Sequence, residues 1–435
     1  MSPGAVLLAA ALPILFLHVH YQPGVAISVG STTVDAYLSD FAVLAVVVLA
    51  VIEARRRGVA TLAPGRPLWI AGALFLVWMA FGVVYGRLHA SAYPWQTHGV
   101  TAAKFAEYAL LAPAVPLLLR RVRDLVLPIW SVALWSSAAT VVGIAQFFGA
   151  DIFLAGTVGR RQASFLSSAD FAALSAAALL VGIVAIAAPR VRGTRIPAAI
   201  ATVSGVLGMI VAGAVASVLG LATAIVALGV FLLLRRELVP RRVVAIGAVA
   251  AVVAVGVVAI RGSDLDAFAR FLGASPGKTT SPEPTKVQTY AHRTLLAWIG
   301  FEIWKDHPVL GVGWEGSAEP VNFGPYLPAA HVRFPDEAPL AFPSAAPERR
   351  YGVQNSWLQA LADLGIIGLA LWAGTFAAAA WVAVKGLGAV TALYGLLATG
   401  LLVWLWTAQG FVAGIPLDAL TFLAFGAAAT RLVDE

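Results

Sequence analysis

The chain has 435 residues, of which 60% are hydrophobic and 12% charged, against roughly a quarter charged in an ordinary soluble domain, and this excludes a soluble enzyme. The net charge of +7 raises nucleic-acid binding, but the basic residues fall in short tracts between apolar blocks, a pattern that membrane topology explains and nucleic acid does not. Cysteine is absent, which excludes disulfides, thiolate nucleophiles and cysteine-ligated metal centres.

Apolar stretches long enough to cross about 30 Å of hydrocarbon predict twelve membrane helices, at 4–20, 37–54, 68–86, 99–119, 125–148, 164–188, 196–213, 215–234, 243–260, 356–383, 388–408 and 411–430. The fold class expected is therefore all-α, a polytopic membrane protein. The first block has no Lys or Arg before it and no small-residue cleavage site after it, so it reads as a retained span and not a signal peptide. An even number of spans places both termini on one side. Alternate connections are basic: Arg55, Arg56, Arg57 and Arg66; Arg120, Arg121 and Arg123; Arg190, Arg192 and Arg195; Arg235, Arg236, Arg241 and Arg242; and Lys385. The positive-inside bias assigns these, and both termini, to the cytoplasm. Arg87, Arg160 and Arg161 fall on the opposite side, where a positive charge has little purpose unless something negative binds. The outward connection 262–353 is far longer than the usual few residues. It is expected to hold a helix at about 287–306 and a turn at Gly311-Val-Gly313. The chain thus divides into spans 1–9 (1–261), an outer-loop domain (262–353) and spans 10–12 (354–435).

Polar residues gather toward the outer side. All seven histidines lie at outer span ends or in outer loops. Lys104 and Glu107 share a face of the fourth span and can neutralise each other; Asp170 lies at a comparable depth in the sixth. These groups fit either an interfacial ion pair with a capping carboxylate, or the wall of a cavity open outward. The pair Arg160-Arg161 precedes Gln162-Ala-Ser-Phe165. It reads either as a tolerated surface pair or as a grip on a lipid-linked diphosphate, since a planar guanidinium can hold two phosphate oxygens at once. Arg293 lies in Tyr290-Ala-His-Arg-Thr-Leu-Leu-Ala-Trp298, with Trp298 and Trp304 suited to the headgroup layer. Gly311-x-Gly313 lacks the strand, helix and acidic partner of a dinucleotide site.

Three separated segments resemble the O-antigen ligase and polymerase superfamily. The segment Gln354-Asn-Ser-Trp-Leu-Gln-Ala-Leu-Ala-Asp-Leu-Gly365-Ile-Ile-Gly368 is similar to the ligase signature, with Asn355, nine residues, Gly365 and then Gly368. Arg293 followed by Trp304-Lys-Asp-His-Pro308-Val-Leu-Gly311-Val-Gly313-Trp resembles the family's arginine helix with its aspartate-x-Pro and Gly-x-Gly turn. Arg160 to Phe165 is similar to an Arg-x-x-small-x-Phe element before a span. The resemblance implies a bacterial inner-membrane enzyme that moves a glycan from a polyprenyl (undecaprenyl) diphosphate carrier to a lipid or polysaccharide acceptor, on the periplasmic face. It implies catalytic roles for Arg293, Gln354 and Asn355, and diphosphate binding by Arg160, Arg161 and Arg293 with Lys104 in support. Without an Asp-x-Asp motif or a His/carboxylate cluster at metal spacing, guanidinium groups and no metal or other cofactor are expected to carry the leaving-group charge.

The family's ligases carry a His where this chain has Gln354, and an amide cannot accept a proton at neutral pH. His292, His331, Glu315 and Glu348 are the alternative bases. A Ser-Arg that some members carry near the seventh and eighth spans is missing around Ala214. Three rivals remain: a polymerase of the same superfamily, which differs in acceptor; a catalytically silent scaffold; and a transporter or flippase, which would place polar groups near the midplane on interrupted helices.

Overall fold

A helix stands at each of the twelve apolar stretches. The computed structural model describes residues 2–29, 32–153, 155–156, 158–188, 193–237, 239–271, 289–335, 337–411 and 416–433. The first half contains α1 (Pro3–Leu15), α2 (Leu38–Arg57), α3 (Arg66–His89), α4 (Trp95–Ala109), α5 (Leu111–Leu118), α6 (Val126–Phe147), α7 (Ser168–Ala187) and α8 (Arg195–Ala212). There follow α9 (Val215–Leu234), α10 (Pro240–Phe271), the loop helices α11 (Thr289–Asp306), α12 (Pro320–Phe323) and α13 (Leu327–Arg333), and then α14 (Ser356–Lys385), α15 (Val390–Leu405) and α16 (Pro416–Ala429). Among the described residues seven helices are long and apolar enough to cross a membrane, and α1, α15 and α16 are shorter apolar helices. The protein is an all-α, multi-pass membrane protein.

Hydrogen bonds collect the basic connections at one end of the bundle. The Ser2 amide donates to Asp124 Oδ1 at 3.2 Å and the Val433 amide to the Arg120 carbonyl at 2.9 Å. Residues from both ends of the chain therefore meet the connection after α5. Arg235 Nη1 donates to the Leu387 carbonyl and Arg242 Nη1 to that of Ala187, each at 3.1 Å, joining the later basic connections at that same end.

Two prolines shape the helices. Pro13 inside α1 has no N–H for the Ala9 carbonyl, and Ser131 Oγ on α6 donates to that oxygen at 2.6 Å instead, as a backbone acceptor in hydrocarbon requires. One span was expected over 99–119, but it is split into α4 and α5 at Leu110. Pro113 cannot donate to the Ala109 carbonyl and its ring crowds it. A two-stranded antiparallel hairpin, β1 (Gly24–Val29) with β2 (Thr32–Tyr37), stands between α1 and α2 and was not expected. The long connection builds a small core of its own, in which Leu295, Ile299 and Ile303 of α11 pack with Phe323, Ala330 and Phe342.

Candidate active site

A cavity of about 410 Å³ opens at the end of the bundle opposite the basic connections, and Arg161, Arg261 and Arg293 line it. Its walls come from the start of α7 (Ala169, Ala173), the α8–α9 turn, and the end of α15 with Thr407 and Gln409. Arg161 Nη2 donates to Ser168 Oγ at the first turn of α7. Gly213 ends α8 in the left-handed region, φ 57°, where a side chain is strained. A Cβ there would stand 3.1 Å from Arg161 Cβ and 3.5 Å from Arg261 Cδ. The stems of both arginines thus pack against a position that only glycine leaves open. Three cations around one hollow with apolar walls favour an anion attached to something greasy.

The turn carrying Arg161 is fixed by buried amides. Gln162 is fully buried; its Oε1 accepts from Gly156 N–H at 2.7 Å, its Nε2 donates to the Arg160 carbonyl at 3.0 Å, and its own amide donates to Val211 O on α8 at 3.0 Å. Gln146 of α6 closes the turn from below, accepting from Ser164 N–H at 2.8 Å and donating to Ser164 O at 3.1 Å. These bonds separate the two arginines: Arg161 faces the cavity and Arg160 is exposed outside its lining.

The segment after Arg293 docks into a break in α14. Gly365 has φ 69° and ψ −170° inside that helix, which leaves backbone groups unmatched. The turn at 308–313 takes them up: Val312 and Gly313 N–H donate to the carbonyls of Ala362 and Asp363 at 3.1 and 2.8 Å, and Ile366 N–H donates to Pro308 O at 2.9 Å. A Cβ on Gly365 would lie 2.0 Å from Val309 O, and one on Gly311 2.3 Å from the Asp363 carbonyl carbon. Asp363 Oδ1 accepts from Ser317 N–H at 2.7 Å. Gly365 of the ligase-like segment and Gly311 and Gly313 of the expected turn thus form one interlocked joint.

Beyond it lies a buried charge network that the sequence did not reveal. His98 Nδ1 is 3.2 Å from Glu315 Oε2 and its Nε2 3.1 Å from Glu319 Oε1. Both ring nitrogens face carboxylates, so both must carry protons, and the ring is an imidazolium. Arg350 Nη1 donates to Glu319 Oε2 at 3.4 Å, which balances two acids with two cations. Tyr93 Oη donates to the Trp314 carbonyl at 2.5 Å and Trp314 Nε1 to Thr101 Oγ1 at 3.0 Å. The network ties the loop to α4.

The remaining residues singled out in the sequence fall as follows. Lys104 does not line the arginine cavity: its Nζ donates to Asp40 Oδ2 at 2.9 Å and to the Asp35 carbonyl, because α2 and the hairpin place a carboxylate and a carbonyl within its reach. Its ion pair is thus with Asp40 and not Glu107. Asn355 caps α14, Oδ1 accepting from Leu358 N–H at 3.0 Å, while Nδ2 donates at 3.1 Å to the carbonyl of Thr407, a cavity residue. Gln354 is half-buried beside it and outside the lining. Among the alternative bases, Glu315 is committed to His98 and Thr101, whereas Glu348 and His331 are exposed, the latter stacked on Phe342. His292 adjoins Arg293 and meets the Tyr351 ring edge-on. Burial, and then the Arg293 charge, push its pKa down to about 4, so it is neutral at pH 7. Asp170 accepts from Ser167 Oγ at the start of α7, its amide donating back to that oxygen.

Arg261 was missed. It lay one residue past an expected span end, whereas α10 continues to Phe271; its only sequence signal was a further positive charge on the side expected to face outward. Residues 198–373, from α8 into α14, match the family described as O-antigen ligase. That stretch includes Arg261, Arg293, Gln354 and Asn355 and excludes Arg161. No curated protein matches the chain.

Proposed function

From the O-antigen ligase domain that the chain carries across residues 198–373, we propose that this is a glycosyltransferase. It would move a glycan from a polyprenyl diphosphate carrier to a lipid or polysaccharide acceptor at a bacterial inner membrane. The observation that carries the reading is the single cavity lined by Arg161, Arg261 and Arg293. The basic connections at the opposite end favour a cavity facing away from the cytoplasm, with both termini inside. In this proposal an acceptor hydroxyl attacks the anomeric carbon; the new C–O bond forms as the bond to the diphosphate breaks, and the electron pair leaves with the carrier. The three guanidinium groups take up the charge on the departing diphosphate, which is larger in the transition state than in the bound donor and so lowers the barrier. Arg160 and Lys104 lie outside this grip.

The donor bond is already activated, so Gln354 need only orient the acceptor, and Asn355 holds the start of α14 against Thr407. Of the four alternative bases, His292 alone adjoins an arginine of the cavity, and its neutral ring is in the form that accepts a proton. Polymerase activity would use the same chemistry with a lipid-linked glycan as acceptor. Transport is disfavoured by the α14 break, which the chain's own turn at 308–313 fills, where a transporter would keep such a break open to its substrate. Reconstitution with a lipid-diphosphate glycan and candidate acceptors tests the proposal. Sugar gained by a lipid core or polymer indicates ligase, lengthening of lipid-linked glycan indicates polymerase, and no transfer with any acceptor overturns it.

A further inference from the structure

The hairpin β1–β2 has two unlike faces. Residues paired across an antiparallel ladder share a face, so Val25 with Ala36 and Ile27 with Val34 form one side, and Gly24 with Tyr37 and Ala26 with Asp35 the other. The Tyr37 side meets the protein at its root, where Lys104 Nζ of α4 lies 5.1 Å from the Tyr37 ring centroid, and is open further out, where Ala26, Ser28, Thr33 and Asp35 are exposed. On the apolar side Val25 and Ile27 are 59% and 49% exposed, and their partners Ala36 and Val34 are half-buried. The root is fixed at both ends. Gln22 Nε2 donates to Leu17 O at 2.6 Å and its Oε1 accepts from Ser39 N–H at 2.8 Å, while the Tyr37 amide donates to Asp40 Oδ2 at 2.9 Å.

Depth identifies what covers the apolar side. From Leu38 at the start of α2 to Arg55 at its basic end, the helix rises about 26 Å, less than the roughly 30 Å of hydrocarbon. The hairpin therefore leaves the protein at the edge of the hydrocarbon layer and not in bulk water. The exposed side chains Leu38, Phe41, Leu44 and Val48 of α2 form an apolar surface that begins where the strands end. We propose that the hairpin is a membrane-surface element, with Val25, Ile27, Val34 and Ala36 laid on the acyl–headgroup boundary of the leaflet at the arginine end. Its strand edges then lie among headgroups and water, as unpaired backbone groups require. Tyr21, just before the hairpin, meets Phe153 in the connection that carries Arg161, with ring centroids 5.1 Å apart. The element thus borders the cavity's own loop.

The chain has no cysteine, so single cysteines can be placed and spin-labelled directly. Val25→Cys, Ile27→Cys and Val34→Cys would report the apolar side, and Ala26→Cys, Ser28→Cys and Thr33→Cys the other, in vesicles of phosphatidylethanolamine and phosphatidylglycerol. The proposal expects a ratio of oxygen to nickel-chelate accessibility several-fold higher at 25, 27 and 34 than at 26, 28 and 33. Two results overturn it: all six positions equally open to the nickel chelate, which puts the hairpin in water, or the first three shielded from both reagents, which puts a protein partner or a second copy on that face. Five of the six positions are exposed and Val34 is half-buried, and a monodisperse elution profile for each labelled variant verifies folding.

Discussion

Replacement of Arg261 separates a shared anion site from a chance gathering of arginines. This side chain is 6% exposed, lines the cavity and packs its stem against Gly213. Arg261→Met keeps most of that stem volume and removes only the guanidinium, so folding survives: losing a buried cation relieves desolvation as well as removing partners. Removing one preorganised donor to a developing anion in a desolvated site costs about 3 kcal/mol, or roughly a hundredfold in rate. Arg261→Lys keeps the charge and loses the two-pronged geometry, and falls between. Arg160→Ala is the control: exposed and outside the lining, it changes the rate by about twofold or less, as a solvated surface charge should. The assay is initial transfer rate from a lipid-diphosphate glycan in vesicles, with Arg161→Met and Arg293→Met beside it. A rate for Arg261→Met within about threefold of wild type, or an Arg160→Ala loss as large as that of Arg261→Met, refutes the reasoning.

Other consequences concern stability. Gly365→Ala sets a Cβ 2.0 Å from Val309 O at φ 69°; it should cost about 3 kcal/mol or more, seen as a lower unfolding temperature in detergent, and an unchanged transition would mean the joint is not rigid. His98→Ala leaves Glu315 and Glu319 facing each other in a buried site and should destabilise by about 3–5 kcal/mol. The double replacement Glu315→Gln with Glu319→Gln in that background should recover part of the loss, and the absence of recovery would argue against an imidazolium. His292 has its pKa lowered from 6.5 to about 4, so the unfolded chain takes up a proton first as pH falls. Stability is therefore flat above about 6.5 and declines toward 4; His292→Gln should flatten that decline in a pH series of thermal unfolding.

The apolar helices were legible because hydropathy over twenty residues is a local property. The break at Leu110 was also legible, through Pro113 and the carbonyl four residues before it; scanning by hydropathy alone passes over it. The hairpin announced itself by alternation in Val25-Ala-Ile-Ser-Val29 and Thr33-Val-Asp-Ala-Tyr37 around Gly30-Ser31, a signal that a search for spans is not built to hear. The pairing of His98 with Glu315 and Glu319, across more than 200 positions, had no local signature, nor did the convergence of Arg261 on Arg161 through Gly213. Both depend on which helix ends the bundle brings together. Gly365 and Gly311 stood out individually, but that one fills the gap left by the other follows only from the fold.

The central claim is that Arg161, Arg261 and Arg293 together hold a lipid diphosphate. Titration of purified protein in nanodiscs with a polyprenyl diphosphate, wild type against the triple Arg→Met variant, tests it most directly. The account expects saturable binding that the triple variant loses by at least a hundredfold, about 3 kcal/mol, and much weaker binding of the uncharged polyprenol to both. Equal affinity of both proteins for the diphosphate would contradict it.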